Sequence, residues 1–332
     1  MSDRLVDGFG RAITYLRVSV TDRCNLRCGY CMAGEVHFSP RQDVLSIEEL
    51  EHLTSAFVGC GITKVRITGG EPLVRKGVMH LFEGLSRHLK SGALAELCVT
   101  TNGILLAKYA ETLADYGVRR VNVSLDTLDP ERFAEITSGG DVEAVLRGIE
   151  AARVAGLSVK LNAVAQKGYI EHDAEALVQF AQDLGLDISF IETMPLGEVK
   201  SNCADHYLPL GDLRSLIARR WTLTDTDETT GGPAHYVRIE ETGGRIGFIT
   251  ALSHCFCEGC NRLRLSATGA LYTCLGHDEF TDLRSIIRRN STAADLEGAI
   301  RMAVAAKPRS HDFGTAPIRE PALKRQMSVL GG

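Results

Sequence analysis

The stretch AITYLRVSVTDRCNLRCGYCMAG, residues 12–34, joins an apolar run directly to three cysteines. Its first part, to residue 20, is rich in β-branched and aromatic residues, which is typical of a buried strand. Cys24, Cys28 and Cys31 follow in the spacing C-x3-C-x2-C. The stretch therefore predicts a first β-strand whose carboxyl end carries thiols for metal or redox chemistry.

The same kind of run recurs along the first two-thirds of the chain. Five further β-rich runs end near residues 68, 100, 125, 164 and 192, and helix-like stretches begin near residues 46, 107, 141 and 171. This alternation predicts βα units that build a parallel sheet with helices outside it. Because ligands gather at the carboxyl ends of such strands, we expect the polar and glycine-rich segments there to share one rim.

Composition limits the classes of protein to which the chain can belong. Of the 332 residues, 44% are hydrophobic and 24% charged, and we find no apolar run of about 18 residues, the length that a membrane span needs. A net charge of -5 disfavours an extended nucleic-acid surface, and the charged N-terminus disfavours an export signal. We therefore expect a cytoplasmic protein with no membrane or nucleic-acid partner, whose ten cysteines serve metal or redox chemistry rather than disulfides.

The number of thiols in the first motif distinguishes between metal centres. A closed structural zinc site usually has four protein ligands, whereas three cysteines can hold three irons of a four-iron cluster and leave the fourth iron open. The spacing thus favours an iron-sulfur cluster with an open iron. Two alternatives stay open: a zinc site completed by a distant residue such as His37, and three thiols that are neighbours by chance.

A second set of three cysteines lies downstream in HCFCEGCNRLRLSATGALYTC, residues 254–274. Two alternating segments joined by a glycine-containing turn predict a hairpin that returns Cys274 towards Cys257 and Cys260. These thiols fit a second open cluster. The alternative is a zinc knuckle whose fourth ligand is one of three neighbours: Cys255, His254 or His277.

Basic residues interrupt the predicted strands. Arg262 and Arg264 follow the second thiol set, and strand alternation points both side chains to one side. Paired guanidinium groups can bind phosphate bidentately. Four further basic residues lie in strands that lead to the rim: Arg17, Lys64, Arg66 and Lys160. Together they predict a positive pocket; the alternative for each is an ordinary solvated or salt-bridged residue.

The first cysteine motif, with Tyr30 before its third cysteine and GGEP at residues 69–72, resembles the radical S-adenosylmethionine superfamily. The resemblance implies that the three thiols hold a 4Fe-4S cluster whose open iron binds S-adenosylmethionine. It also implies an α/β fold, an incomplete (β/α)6 TIM-type barrel, which we expect over residues 1–210. An α+β region over residues 211–332 would cover the open side and carry the second thiol set.

Segments spread over nearly the whole chain match one family within this superfamily: TGGEPLVR, TTNG, VNVSLD, FIETMPLG, C-x2-C-N-R-L-R-L and the terminal diglycine. They resemble the GTP 3',8-cyclase family of molybdenum cofactor biosynthesis. The resemblance implies a lyase in which the 5'-deoxyadenosyl radical removes hydrogen from C3' of GTP. The C3' radical then attacks guanine C8 to give 3',8-cyclo-7,8-dihydro-GTP.

The same resemblance assigns roles to residues. The implied contacts to S-adenosylmethionine are Tyr30, Gly69, Gly70, Glu71, Ser124 and Met194. The implied contacts to GTP are Arg17, Lys64, Arg66, Thr100, Lys160, Arg262 and Arg264. The second 4Fe-4S cluster would be held by Cys257, Cys260 and Cys274. The catalytic set would comprise Cys24, Cys28, Cys31, Arg17, Arg262, Arg264 and the tail residues Gly331 and Gly332.

The resemblance also implies partners. These are GTP, a reductant such as flavodoxin or ferredoxin, cyclic pyranopterin monophosphate synthase as the next enzyme, and a second copy of the chain in a homodimer. Cys255 leaves the ligand set of the second cluster open, because it could replace Cys257. Two other functions are considered: a peptide-modifying radical enzyme with auxiliary clusters, and a zinc or iron-sulfur protein that is not an enzyme. The arginine pair disfavours the peptide-modifying enzyme, and GGEP disfavours the protein that is not an enzyme.

Overall fold

The computed structural model describes residues 4–32, 37–197, 206–289, 291–311, 313, 323 and 325–331. Six strands follow one another both along the chain and in the sheet: β1 (Tyr15–Ser19), β2 (Lys64–Thr68), β3 (Glu96–Thr101), β4 (Arg120–Ser124), β5 (Ser158–Ala165) and β6 (Asp187–Glu192). Each strand pairs in parallel with the next. The predicted α/β fold of the partial-barrel type is thus confirmed.

Six helices alternate with these strands: α1 (Ile47–Gly59), α2 (Val78–Lys90), α3 (Leu106–Asp115), α4 (Pro130–Thr137), α5 (Val142–Val154) and α6 (Ile170–Asp183). Local signals determine several of their starts. Ser46 and Glu49 form a capping box, in which Ser46 Oγ accepts the Glu49 N–H at 3.1 Å and Glu49 Oε2 accepts the Ser46 N–H at 2.7 Å. Asp129 caps α4, with Pro130 in its first turn.

The C-terminal region extends the same sheet at both edges. Its strands are β7 (Leu223–Thr226), β8 (His235–Ile239), β9 (Arg245–Ile249), β10 (Arg262–Leu265), β11 (Ala270–Tyr272) and β12 (Thr281–Asp282). Strand β9 pairs in parallel with β6, and β10 pairs in parallel with β1. The resulting sheet has 12 strands in the order β12-β11-β10-β1-β2-β3-β4-β5-β6-β9-β8-β7.

Four more helices belong to this region: α7 (Leu210–Ile217), α8 (Leu283–Arg288), α9 (Ala293–Ala305) and α10 (Met327–Leu330). The predicted boundary at residue 210 coincides with the start of α7, and the division into two domains stays a prediction. Across the described ranges, no helix is both long and apolar enough to cross a bilayer.

The two faces of the central strands carry different chemistry. In β1, Leu16 and Val18 are completely buried in the apolar core, whereas Arg17 lines a cavity on the opposite face. Strand β2 repeats the pattern, with Val65 in the core and Arg66 in the cavity. This period of two follows from strand geometry. Because apolar residues on one face form the core with the helices, the other face can carry polar site residues.

Candidate active site

A cavity of about 350 Å³ lies on the inner face of the sheet and is lined by both predicted thiol sets. Cys24, Cys28 and Cys31 follow the carboxyl end of β1. Cys260 instead precedes the amino end of β10, which runs parallel to β1. The two thiol sets therefore lie towards opposite ends of the strands, and side chains of the strands lie between them.

Backbone contacts hold the N-terminal cysteine loop in place. The Arg27 N–H donates to the Thr137 carbonyl at 3.0 Å, and the Gly29 N–H donates to the Ile136 carbonyl at 3.2 Å. Both acceptors belong to the last turn of α4. The loop after β1 is thus tied to a helix that follows β4, and all three of its cysteines line the cavity.

The chemistry of these thiols suits a metal cluster. Cys24 Sγ accepts the Leu26 N–H at 3.4 Å and Asn102 Nδ2–H at 3.7 Å. Burial raises the pKa of all three thiols, that of Cys31 to about 12. Thiolates are the forms that bind metal, so their ionisation here requires the positive charge that iron would supply.

Gly69 and Gly70 bring the loop after β2 against the backbone of the cysteine loop. The Gly70 N–H donates to the Thr21 carbonyl at 2.7 Å. A Cβ atom added to Gly69 would lie 2.6 Å from Thr21 O, and one added to Gly70 would lie 2.4 Å from Arg23 O. Glycine is therefore required for the packing of the two loops, and both residues also line the cavity.

Glu71 differs from the other residues predicted to contact S-adenosylmethionine. It is completely buried, and its carboxylate oxygens accept the Leu73 N–H at 2.9 Å, the Thr101 hydroxyl at 2.8 Å and the Asn102 N–H at 2.7 Å. Burial raises the pKa of Glu71 to about 7. Its oxygens are thus used within the fold, where they join the loops after β2 and β3.

The remaining predicted cofactor contacts lie at the carboxyl ends of the strands. Tyr30, Ser124 and Met194 all line the cavity. The Tyr30 hydroxyl donates to Asp126 Oδ2 at 2.7 Å, and Asp126 Oδ1 accepts the Val164 N–H at 2.8 Å. Burial raises the pKa of Asp126 to about 6. Asp126 therefore orients Tyr30 from the loop after β4.

Strand register places three arginines side by side on the inner face. Arg17 lies opposite Arg264 of β10 on one side and opposite Arg66 of β2 on the other. Arg66 Nη1 donates to Thr100 Oγ1 at 3.0 Å. One cavity is lined by every residue predicted to contact GTP: Arg17, Lys64, Arg66, Thr100, Lys160, Arg262 and Arg264. We call the six arginines and lysines of this set the cation row.

The cation row has few acids to neutralise it. Lys64 lies 2.9 Å from Glu96 Oε2 at the amino ends of β2 and β3. Among the described residues, no carboxylate forms an ion pair with Arg66, Lys160, Arg262 or Arg264. Burial and repulsion by neighbouring arginines lower the pKa of Arg264 to about 9, and burial lowers the pKa of Lys160 to about 7. An anionic ligand would stabilise the charged forms of Arg264 and Lys160 and so raise both pKa values.

The predicted hairpin is confirmed and places the second thiol set. Strands β10 and β11 pair antiparallel, with Arg264 opposite Tyr272, and Gly269 occupies the left-handed turn between them with φ 82°. The hairpin returns Cys274 to the end of β10 at which Cys260 lies. Cys257, Cys260 and Cys274 all line the cavity.

A buried lysine supports this second set. Lys307 is 2% exposed, and its Nζ donates to the carbonyls of Arg262, at 3.1 Å, and Thr273. Burial alone would raise the pKa of Cys260. The positive charges of Lys307 and Arg262 outweigh this effect and lower the pKa of the thiol. Lys307 matches no sequence motif, and only its position in the fold connects it to the thiols.

A third group of metal-ligating side chains overlaps the second set. The ligand atoms of Cys255, Cys257 and His311 all lie within 4.8 Å of one another. In the part of the chain that the structure describes, no other group of three converges this closely. Thiolates that bind different irons of one cluster are separated more widely than ligands of a single ion. The close convergence of Cys255, Cys257 and His311 therefore suits a single ion.

The C-terminal tail reaches the cation row. The Gly331 carbonyl accepts Arg17 Nη2–H at 3.2 Å and Arg264 Nη1–H at 2.9 Å. Gly331 has φ 73°, and a Cβ atom there would lie 2.0 Å from Thr68 Oγ1. Gly331 therefore lies in the predicted site, and only glycine fits its position. Gly332 lies outside the described residues.

Two family profiles together span most of the chain. The Radical SAM superfamily matches residues 18–181, and Molybdenum Cofactor Synthesis C matches residues 186–313. A Caulobacter vibrioides protein named GTP 3',8-cyclase is 57% identical over 99% of this chain and 94% of its own length. A Rhodopseudomonas palustris protein of the same name is 54% identical over 99% of this chain and 96% of its own length. The chain belongs to the GTP 3',8-cyclase family.

Membership of the GTP 3',8-cyclase family confirms the predicted superfamily and enzyme class, and it implies a 4Fe-4S cluster and S-adenosylmethionine as cofactors. The fold extends beyond this family. A Streptococcus suis SuiB structure with bound S-adenosylmethionine has a TM-score of 0.62 and 18% identity, covering 96% of this chain and 77% of SuiB. SuiB has also been solved with a precursor peptide. Fold alone thus does not choose between peptide and nucleotide substrates.

Sequence reasoning missed several residues of this GTP 3',8-cyclase site. Asn102 contacts Cys24, Asp126 orients Tyr30, and Lys307 supports the second thiol set. Asn102 lies in TTNG at a predicted strand end, so its position was a usable signal. His311 and Lys307 had no such signal, because they follow α9 and reach the thiols only in the folded chain.

Proposed function

We propose that the chain converts GTP to 3',8-cyclo-7,8-dihydro-GTP, in the first step of molybdenum cofactor biosynthesis. The observation that carries this proposal is that the cation row lies in one cavity with a thiol set towards each end. A nucleoside triphosphate has matching chemistry, since its phosphates need cations while its ribose and base need separate surroundings. The sequence relatives favour this substrate over a peptide.

The N-terminal end of the cavity fits a 4Fe-4S cluster and S-adenosylmethionine. Cys24, Cys28 and Cys31 would hold the cluster, because all three line the cavity and the thiol of Cys24 accepts two N–H donors. Oδ1 of Asn122 and of Asn162 is buried without a hydrogen-bond partner among the described residues, and both side chains line the cavity. Hydroxyl or amino groups of a bound ligand would satisfy these acceptors. When bound, S-adenosylmethionine supplies the radical that removes hydrogen from C3'.

Roles of the cofactor-binding residues follow from their positions. We assign cofactor contacts to the residues that line the cavity: Tyr30, Gly69, Gly70, Ser124 and Met194. Glu71 receives a positioning role, because its oxygens hold Leu73, Thr101 and Asn102. Its removal would disturb the loop that carries Asn102 rather than remove a contact to the cofactor's amino group.

The cation row would bind and orient GTP. Arg17, Arg66 and Arg264 lie side by side, so their guanidinium groups suit the oxygens of a triphosphate. Lys160, Thr100 and Arg262 extend this surface, whereas Lys64 is already paired with Glu96. Fixing the phosphates fixes the ribose, which brings C3' to a constant position. The enclosing sheet limits the access of water to reactive carbon.

The far end of the cavity would face the guanine. We propose that Cys257, Cys260 and Cys274 hold a second 4Fe-4S cluster there, supported by the hairpin and by the charge of Lys307. Gly331 would orient Arg17 and Arg264 through its carbonyl. The resemblance to the family is what supports the proposed catalytic role of Gly332, which lies outside the described residues.

The wider context comes from the family. We propose a flavodoxin or ferredoxin as reductant, cyclic pyranopterin monophosphate synthase as the next enzyme, a homodimer, and location in the cytoplasm. Membership of the family supports these proposals.

The test is an anaerobic reaction of the cluster-reconstituted protein with S-adenosylmethionine, a reductant and GTP deuterated at C3'. We expect deuterium in 5'-deoxyadenosine, measured by mass spectrometry. 5'-Deoxyadenosine without deuterium, together with unchanged GTP, would refute the substrate while leaving the radical superfamily intact.

A pair of arginine variants locates the substrate. Arg264→Gln should lower deuterium transfer roughly 10- to 100-fold, the equivalent of one charge-assisted hydrogen bond. Arg41→Gln changes an exposed arginine that does not belong to the cation row and should match the unmodified protein. Equal rates for both variants would contradict the proposed binding of the triphosphate.

A further inference from the structure

Cys255, Cys257 and His311 converge on one point beside the cavity. Their ligand atoms lie within 4.8 Å of one another, and Cys255 is exposed while the other two are partly buried. We call these three residues the Cys2His group. Two thiols and one imidazole form a donor set that suits a single zinc-class ion, with water as a fourth ligand.

The hydrogen bonds of His311 fix the tautomer of its ring. Its Nε2 lies 3.0 Å from the Ala251 carbonyl, which can only accept, so Nε2 carries the proton. The lone pair of the neutral ring is then on Nδ1, where it accepts the Phe313 N–H at 3.2 Å, and a bound ion would replace this hydrogen bond. Metal-binding histidines commonly donate their other ring N–H to a backbone carbonyl in this way.

Arg11 holds the backbone of Cys257. Arg11 Nη1 donates to the Cys257 carbonyl at 2.7 Å, and Arg11 is itself paired with Asp7. Its guanidinium also donates to the carbonyls of Pro308 and Arg309, just before His311. Arg11 therefore connects the segment that carries the thiols to the segment that carries the imidazole, and a pre-formed arrangement lowers the ordering cost of binding.

We propose that the Cys2His group binds one zinc-class ion when the second cluster is absent. Binding converts both thiols to thiolates, and the two protons pass to solvent. No electron is transferred. Because the proposed second cluster also uses Cys257, the zinc-bound state and the cluster-bound state exclude each other. The zinc site itself does not depend on the proposed cyclase activity.

The experiment uses the full chain, reduced and freed of iron, with Cys24→Ser, Cys28→Ser and Cys31→Ser so that the N-terminal thiols cannot contribute. Co²⁺ is titrated anaerobically, followed by displacement with Zn²⁺. We expect one ion per chain with thiolate-to-cobalt charge-transfer absorption. Cys255→Ser and His311→Gln should each weaken binding by about tenfold or more. Glutamine keeps a donor for Ala251 but lacks the ring lone pair.

Cys260→Ser and Cys274→Ser are the matched controls, since they alter the proposed second cluster and leave the Cys2His group intact. Both should retain full Zn²⁺ affinity. Zinc affinity that falls as far in these controls as in Cys255→Ser would place the ion in the cluster set and overturn the inference. Unchanged affinity in both Cys255→Ser and His311→Gln would overturn it as well. Circular dichroism of each variant confirms that the chain is folded.

Discussion

Gly70→Ala tests the contact between the two loops at the N-terminal end of the cavity. The new Cβ atom would lie 2.4 Å from Arg23 O, well inside the 3.0 Å that real Cβ atoms keep. Arg23 O cannot move freely, because it accepts the Glu71 N–H at 2.8 Å. Overpacking of this kind costs about 1–3 kcal/mol, and a neighbour that is backbone places the expected loss of unfolding free energy at the upper end.

The same displacement should impair the chemistry. A shift of about 1 Å in a positioning loop can lower a rate by about 100-fold, so we expect a loss of that order in 5'-deoxyadenosine formation. Urea unfolding measures the stability, and mass spectrometry measures the product. Gly29→Ala is the matched control, since an added Cβ in the same cysteine loop meets no atom within 4 Å among the described residues. Equal stability and activity for the two variants would refute the reasoning.

Two further predictions concern the tail and a buried lysine. Gly331→Ala should lower turnover at least about tenfold with unchanged iron content, because φ 73° and a Cβ 2.0 Å from Thr68 Oγ1 force the tail away from the arginines. Lys160→Met should raise the unfolding free energy of the ligand-free protein at pH 7 by up to a few kcal/mol. Burial lowers the native pKa of Lys160 to about 7, so the native state binds fewer protons than the unfolded state above that pH, and stability rises towards pH about 10.

Each of these two variants has its own control. Gly298→Ala adds a Cβ in α9 where no described atom lies within 4 Å, and turnover should be retained. If Gly331→Ala has normal turnover, the tail has no role at the cation row. Lys108→Met changes an exposed lysine of α3 and should leave the pH dependence of stability as it was. A stability curve for Lys160→Met with the same slope above pH 7 as the parent would contradict the buried charge as its source.

Local signals in the sequence predicted the central fold well. Strand β1 ends where the apolar run meets the cysteine motif, and α1 begins directly after Ser46. The β10–β11 hairpin was also predictable, since a short turn with glycine joins its two strands. The parallel pairing of β9 with β6 and of β10 with β1 was not, because nothing within either segment specifies a partner far away in the chain.

The same limit applies to the site. Cysteine spacing and GGEP identified the reactive loops. The two glycines of GGEP line the cavity, and they also pack against the backbone of residues 21–23, which the sequence did not predict. Glu71 was expected to face the cofactor, and its oxygens are used within the fold. Motif spacing specifies which residues are present, whereas the packing of separate loops determines what each one touches.

By itself, the sequence determined the chemistry of this protein: two sets of three thiols, a glycine-rich loop and a group of arginines on strands that alternate with helices. Only the tertiary structure decided that the thiol sets lie towards opposite ends of one cavity, with Arg17 between Arg66 and Arg264. It also brought Gly331 to Arg17, 314 positions away. The reason is physical: spacing and capping act within a few residues, whereas strand register and close packing join segments that are remote in the chain.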